Sequence, residues 1–127
     1  LEVMAKVLNV SVAEMGDLSA QAVQAVTISN TCTVFAESEV ISHLAGNVAP
    51  ADIAAGIHRS VAKRVASLAA RVTVEPAVAM SGGVALNTGI VRAMEEELKK
   101  PVFVSPRCQL AGAIGAAVFA YEAAVKG

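Results

Sequence analysis

After Pro76 the chain alternates short apolar runs with long helical patterns, and this alternation constrains the fold more than any other feature. Ala77-Val78-Ala79-Met80 reads as a short buried strand, and Ser81-Gly82-Gly83 breaks it. A helix follows, with Val84, Val91, Met94 and Leu98 inside and Arg92, Glu95, Glu96 and Lys99 outside. Glu95–Lys99 and Glu96–Lys100 fall at the favourable i, i+4 spacing. Pro101 stops this helix, Val102-Phe103-Val104 gives another strand, and Ser105-Pro106-Arg107 turns the chain into a last helix from Gln109 to Val125. Its inner face is Leu110, Ala113, Ile114, Ala117, Tyr121 and Ala124, and Gly112 and Gly115 let it lie very close to a neighbour. Strand, glycine turn, helix, strand, helix predicts a three-layer α/β lobe, with short strands covered by long helices.

The first half prepares that core. Leu1, Met4 and Leu8 mark a helix that stops near Asn9. Ser11 and Glu14 form a capping box for a second helix, which Gly16-Asp17 ends or bends. Val26 and Ile28 alternate with Thr27, so residues 25–29 read as a strand. A helix follows Cys32 and closes at Gly46-Asn47. Pro50 opens the longest helix, where its missing N–H does no harm. Ile53, Ile57, Val61, Val65, Leu68 and Val72 carry its apolar stripe through to Arg71-Val72. Arg59, Lys63, Arg64 and Arg71 make it basic, either as a solvated face or as one that meets nucleotide phosphate or an acidic partner. His58 borders the stripe and reads as a packed or capping histidine.

A chain of 127 residues is one domain or one lobe of a larger one. Apolar residues make up 55 % of it but aromatics only 3 %, so alanine, valine and glycine fill the core and elements approach closely. A net charge of −1 gives no electrostatic case for nucleic acid. The longest unbroken apolar run, Leu110 to Tyr121, is twelve residues, too short to span a bilayer. No signal-peptide pattern opens the chain, so a cytoplasmic location is expected. Leu1 is not a start methionine and the first residues read as mid-helix, which points to a fragment of a longer protein.

Cys32 sits where a strand hands over to a helix. A thiol there faces unpaired N–H groups and the positive end of the dipole, which favours the thiolate of a metal ligand or reactive cysteine. The other reading is a buried thiol acting as a small hydrophobe. Glu37 falls on the apolar arc of the following helix, at its open first turn or near a charged site. Glu39 and His43 read as a solvated pair. With no Cys-x-x-Cys, the chain's own cysteines cannot complete a four-ligand metal site. Cys108 reads as a packed thiol at a helix start. The Met80-Ser81-Gly82-Gly83 turn leaves N–H groups free for an anion or a nucleotide, although such turns also occur without a ligand.

Several stretches, in this order, resemble one family. They are Ser29-Asn30-Thr31-Cys32-Thr33-Val34-Phe35-Ala36-Glu37-Ser38-Glu39, Gly56-Ile57-His58-Arg59-Ser60-Val61-Ala62 and Ser81-Gly82-Gly83-Val84-Ala85-Leu86-Asn87. Gln109-Leu110-Ala111-Gly112-Ala113-Ile114-Gly115-Ala116-Ala117 closes the set. Together they resemble the ATP-dependent activators of 2-hydroxyacyl-CoA dehydratases and the ATP-binding subunits of benzoyl-CoA reductase. The resemblance implies the C-terminal lobe of an actin-like (ribonuclease H-like) ATPase over residues 1–127, without the N-terminal lobe and its Asp-x-Gly phosphate loop. It implies a homodimer or a pseudo-symmetric pair that shares one four-iron four-sulfur cluster, each subunit giving two cysteines. Cys32 matches the second of these. The first belongs to a Lys-Cys-Ala-Ala-Gly-Thr-Gly loop that this sequence lacks.

ATP with Mg is the other implied cofactor, and by resemblance Ser81, Gly82, Gly83 and Gln109 lie at its adenosine part. Cys108 departs from the family, which commonly has proline before the glutamine. The implied function is an ATP-driven low-potential electron donor to a dehydratase or reductase component. This fragment alone is expected to be inactive, since the phosphate loops are not in it. Two alternatives stand beside it: a nucleotide-binding lobe of an actin-like sugar- or acetate-kinase-type enzyme with no cluster, and a non-catalytic interaction lobe.

Overall fold

The computed structural model describes residues 1–29, 33–72, 74–75 and 77–126. Helix α1 (Glu2–Val7) ends as expected, with Asn9 in the left-handed region at φ 55°. The capping box forms: Ser11 N–H donates to Glu14 Oε2 at 2.8 Å and Glu14 N–H to Ser11 Oγ at 3.1 Å. Helix α2 (Glu14–Ser19) then runs through Gly16 instead of ending there. The glycine serves packing. A Cβ at Gly16 would lie 2.8 Å from Thr88 Oγ1, so only glycine lets α2 lie against that segment.

Residues 25–29 form no strand. Their neighbours' backbone bonds go to one aspartate at the start of the next long helix. Asp52 Oδ1 accepts from Val23 and Gln24 N–H at 2.8 Å each, and Asp52 O accepts from Val26 N–H at 3.2 Å. The alternation of Val26 and Ile28 reflects contact with that helix at Gly56, where a Cβ would lie 2.5 Å from Val26 O.

Helix α3 (Thr33–Ala45) closes at Gly46 and a left-handed Asn47. Helix α4 (Pro50–Ala69) is the longest, with Pro50 in its first turn, and it stops just short of the expected Arg71-Val72. Ile53 and Ile57 of its stripe are buried, while Val65, Leu68 and Val72 are exposed. Arg59, Lys63, Arg64 and Arg71 are all exposed, a solvated basic face.

Strand β1 (Val78–Met80) pairs in parallel with β2 (Val102–Val104), in the register Val78–Val102, Ala79–Phe103, Met80–Val104. A 3₁₀ turn (Gly83–Leu86) and helix α5 (Thr88–Leu98) connect them, the crossover that a parallel pair requires. Lys99 turns left-handed at φ 53°, so neither expected Glu–Lys pair is an ion pair. Glu95 Oε1 instead accepts from Val102 N–H at 2.9 Å and ties the helix to the start of β2. Among the described residues the sheet has these two strands only, so the lobe is more helical than three full layers imply.

The core has two centres. Met4, Ala5, Leu8, Met15, Ile28 and Val40 pack with Ile53, Ala54 and Ile57 of α4. Ile90, Ala93, Met94 and Val102 pack with Ala62, farther along the same helix.

Helix α6 (Ala111–Lys126), with a 3₁₀ turn (Cys108–Leu110) before it, departs most from expectation. None of its residues is buried, so it has no inner face within this chain. Ile114, Val118, Phe119, Tyr121 and Val125 are exposed, and a Cβ at Gly112 or Gly115 meets nothing within 4 Å. By length and mean hydropathy alone, the 19-residue stretch Cys108–Lys126 reaches the size of a membrane-crossing helix. Counting only the unbroken apolar run hides this, because Glu122 interrupts an otherwise apolar segment.

Candidate functional site at the ends of the parallel strands

The turn after β1 and the turn after β2 meet. Gly82 sits at φ 92°, a conformation that costs glycine little and a residue with a Cβ considerably more. Its N–H donates to Cys108 O at 2.9 Å, and its O accepts from Ala85 N–H at 3.2 Å, which opens the 3₁₀ turn. A Cβ on Gly83 would stand 3.8 Å from Gln109 Nε2. Gly82, Gly83 and Gln109, far apart in sequence, are thus brought together beyond the carboxyl ends of both strands. Ser81, Gly83 and Gln109 are exposed there. In open α/β sheets this is where ligands bind.

An open cavity of about 600 Å³ adjoins Gly83. Leu1, Val3, Val12 and Val84 give it apolar walls, and Glu2 adds one carboxylate. Reading the sequence missed Leu1, Glu2, Val3 and Val12 as walls, because they come from the start of the chain, whereas Val84 follows the glycine pair directly. It also passed over Asn87, which is buried. Asn87 Oδ1 accepts from Ile90 N–H at 3.1 Å and caps α5, while Nδ2 donates to Val12 O at 2.7 Å. One side chain therefore joins the glycine-turn segment to the cavity wall. A capping residue at the start of α5 was the available signal.

Cys108 is 1 % exposed and its N–H donates to Ser105 O at 2.9 Å, so it is a packed thiol. Cys32 lies outside the described residues, with Asn30 and Thr31. What borders it is described. Helix α3 begins at Thr33, and Ser29 N–H donates to Glu39 Oε2. Glu39 is half-buried and engaged there, not one of a solvated pair with His43. Glu37 is also half-buried. Val34, Phe35 and Ile41 are exposed along α3. Among the described residues no group of three His, Cys, Asp or Glu side chains could hold a metal.

Among the described residues two titrations are displaced. The Ser11 hydroxyl and amide hold the Glu14 carboxyl below its usual range. Burial pushes His58 down to about 4, so it is neutral.

Comparison with known proteins supplies what this geometry lacks. The BadF/BadG/BcrA/BcrD ATPase family pattern matches residues 1–120. A 2-hydroxyisocaproyl-CoA dehydratase activator of Clostridioides difficile is 55 % identical over 98 % of this chain and 47 % of its own length. One of the benzoyl-CoA reductase subunits of Thauera aromatica is 34 % identical over 94 % of this chain and 44 % of its own length. The solved structure of an activator of the 2-hydroxyisocaproyl-CoA dehydratase from Clostridium difficile, with bound ADPNP, superposes with a TM-score of 0.94. It is 54 % identical and covers 98 % of this chain and 47 % of that one. The chain therefore spans about half the length of these relatives. Coverage of 98 % also places most of α6 within the fold that the two structures share.

Proposed function

The chain belongs to the BadF/BadG/BcrA/BcrD ATPase family, and from that premise we propose that residues 1–127 are the C-terminal lobe of an ATP-driven activator of a 2-hydroxyacyl-CoA dehydratase. Its fold is that of the actin-like ATPases. One observation carries the proposal. The Gly82-Gly83 turn and Gln109 converge beyond the ends of two parallel strands, beside an apolar-walled cavity. That arrangement suits the adenosine part of ATP: apolar walls for the base, a backbone without Cβ for close approach, and Ser81 and Gln109 for polar contacts. The ADPNP in the solved relative supports a nucleotide. Mg and the phosphates would be held by loops outside this sequence. The higher identity to the dehydratase activator than to the reductase component favours a dehydratase as partner.

The second half of the reading concerns Cys32. The start of α3 at Thr33 puts a helix N-terminus beside it, which favours a thiolate. The sequence has one other cysteine, Cys108, and it is buried, so in this reading the remaining thiolates come from elsewhere. This supports a four-iron four-sulfur cluster shared with a second subunit, either a copy or a pseudo-symmetric partner. Such a cluster supplies a one-electron carrier whose potential follows from charge, hydrogen bonding and exposure. Val34, Phe35 and Ile41 are exposed along α3 and suit a contact between subunits. Nucleotide acts on that pairing only through a differential affinity for two arrangements of the pair.

The test uses the full-length parent, reconstituted anaerobically with iron and sulfide. The Cys32→Ala variant is expected to lose its iron, and iron content equal to the wild type would refute the cluster. Gly82→Ala is expected to weaken ADPNP binding by about tenfold or more, since alanine at φ 92° must shift the turn. Unchanged affinity would remove Gly82 from the nucleotide site.

A further inference from the structure

The cavity beside Gly83 takes its walls from two segments far apart in sequence. Val12 comes from the loop between α1 and α2, and Gly83 and Val84 come from the 3₁₀ turn. One side chain ties these segments together, and it does not line the cavity. Asn87, at the end of the 3₁₀ turn, is 2 % exposed. Among the described residues, its amide makes the one hydrogen bond between the loop of Val12 and the segment from Gly82 to Asn87.

Asn87 is held from several directions. Its backbone N–H donates to Val84 O at 3.0 Å, and its O accepts from Val91 N–H at 3.2 Å. Its Oδ1 accepts from Ile90 N–H at 3.1 Å, and its Nδ2 donates to Val12 O at 2.7 Å. The orientation of the amide is forced, because Ile90 offers a hydrogen and Val12 a lone pair. Helix α2 packs hard against the same place: a Cβ at Gly16 would lie 3.2 Å from Asn87 Oδ1 and 2.8 Å from Thr88 Oγ1.

Capping α5 explains only half of this. A cap needs an acceptor, which serine, threonine or aspartate also supplies. The bond from Nδ2 to Val12 O is the part that capping does not require. It joins residues 75 apart in sequence and fixes the loop of Val12 to the turn that carries Gly82 and Gly83. The spacing of such walls matters to whatever lies between them. A drift of about 0.5–1 Å forfeits about a quarter to a half of each van der Waals contact.

We propose that Asn87 is a positioning residue for the nucleotide: through Val12 O it holds the apolar wall at the spacing from Gly83 that adenosine fills. The inference rests on the nucleotide reading above and adds a residue that the ligand does not touch. In that reading the phosphates are held by loops outside this sequence, so Asn87 acts on the adenosine part alone. The linkage is reciprocal. A bond that closes the wall on adenosine is itself held closed by bound adenosine.

The test is calorimetric titration of the full-length parent with ADPNP and separately with tripolyphosphate, each with Mg. Asn87→Ser keeps an acceptor for Ile90 N–H and is too short to reach Val12 O. It should weaken ADPNP about fivefold or more and leave tripolyphosphate unchanged. A second readout needs no variant. Nitrogen NMR follows hydrogen exchange at the Asn87 side-chain amide of the wild type. Saturating ADPNP should slow that exchange about fivefold or more, and tripolyphosphate should not. Equal ADPNP affinity in Asn87→Ser and the wild type would overturn the proposal. Equal weakening of both ligands would do so too, since it marks a purely structural role, and so would exchange that ADPNP leaves unchanged. A wild type that binds tripolyphosphate but not ADPNP would instead refute the adenosine reading, and this inference with it.

Discussion

A single methyl group at Gly89 should unfold much of what holds α5 against α2 and α4. The Cβ of Gly89→Ala would stand 2.5 Å from Ser19 Oγ and closer still to the His58 ring. Ordinary contact begins at 3.4 Å, so Ser19 Oγ must retreat by about 0.9 Å and the His58 ring, at 2.3 Å, by about 1.1 Å. His58 is buried and cannot swing into solvent. Overpacking of this kind costs about 1–3 kcal/mol. Breaking the 3.0 Å bond between His58 Nδ1 and Ser19 Oγ adds about 1 kcal/mol. Alanine's better helix propensity returns at most about 1 kcal/mol. The net loss is about 1–3 kcal/mol, a large share of a marginal total. For a domain of this size that lowers Tm by about 4–12 °C. Thermal and urea unfolding followed by circular dichroism measure it, with an unchanged urea slope. An unaltered or raised Tm would refute the claim that α5 bears directly on the His58–Ser19 pair.

Gly115→Ala should have opposite effects in two settings. In this chain, where a Cβ there meets nothing, it should stabilise by up to about 1 kcal/mol. In the full-length parent it should destabilise, and stabilisation in both would show that α6 has no close neighbour. Asn87→Ala should cost about 2–3 kcal/mol in urea unfolding, since it removes the α5 cap and strands Val12 O. Asn87→Asp keeps the cap acceptor but sets a buried carboxylate against Val12 O, so it should lose at least as much; a loss far smaller than that of alanine would refute the role of Val12 O. Burial holds His58 at about 4 against its ordinary 6.5, so the unfolded chain binds more protons between these pH values. Stability is fully present above pH 6.5 and falls as pH drops through about 4, by about 3 kcal/mol in all. Denaturation midpoints across that window should show the fall, and His58→Gln should flatten it. A profile unchanged by that variant would refute the assignment.

The helices were legible where local chemistry alone decides them. Pro50 and a stripe of isoleucine and valine define α4, and Ser11 with Glu14 defines the approach to α2. The errors came where distant residues decide. Residues 25–29 alternate like a strand, but Asp52 takes the neighbouring backbone donors. Gly16 looks like a stop signal, yet it is the contact that lets Thr88 approach. Glu95 sits at ion-pair spacing and instead bonds the start of β2. At the strand ends, a glycine pair by itself allowed a nucleotide or nothing. The resemblance singled out Gln109, and the fold then brought it beside Gly83. The His58–Ser19 bond was beyond reach, because its partners stand 39 residues apart.

Helix α4 passes through both centres of the core, with Ile53, Ala54 and Ile57 in one and Ala62 in the other. Its 20 residues make a continuous rod of about 30 Å without an internal proline or break. Bending the lobe in its middle would shear both sets of contacts at once. Along α4 there is therefore no hinge between the two centres. If the proposed nucleotide-driven rearrangement occurs, it is taken up elsewhere than along this helix, which carries both centres together like a lever arm.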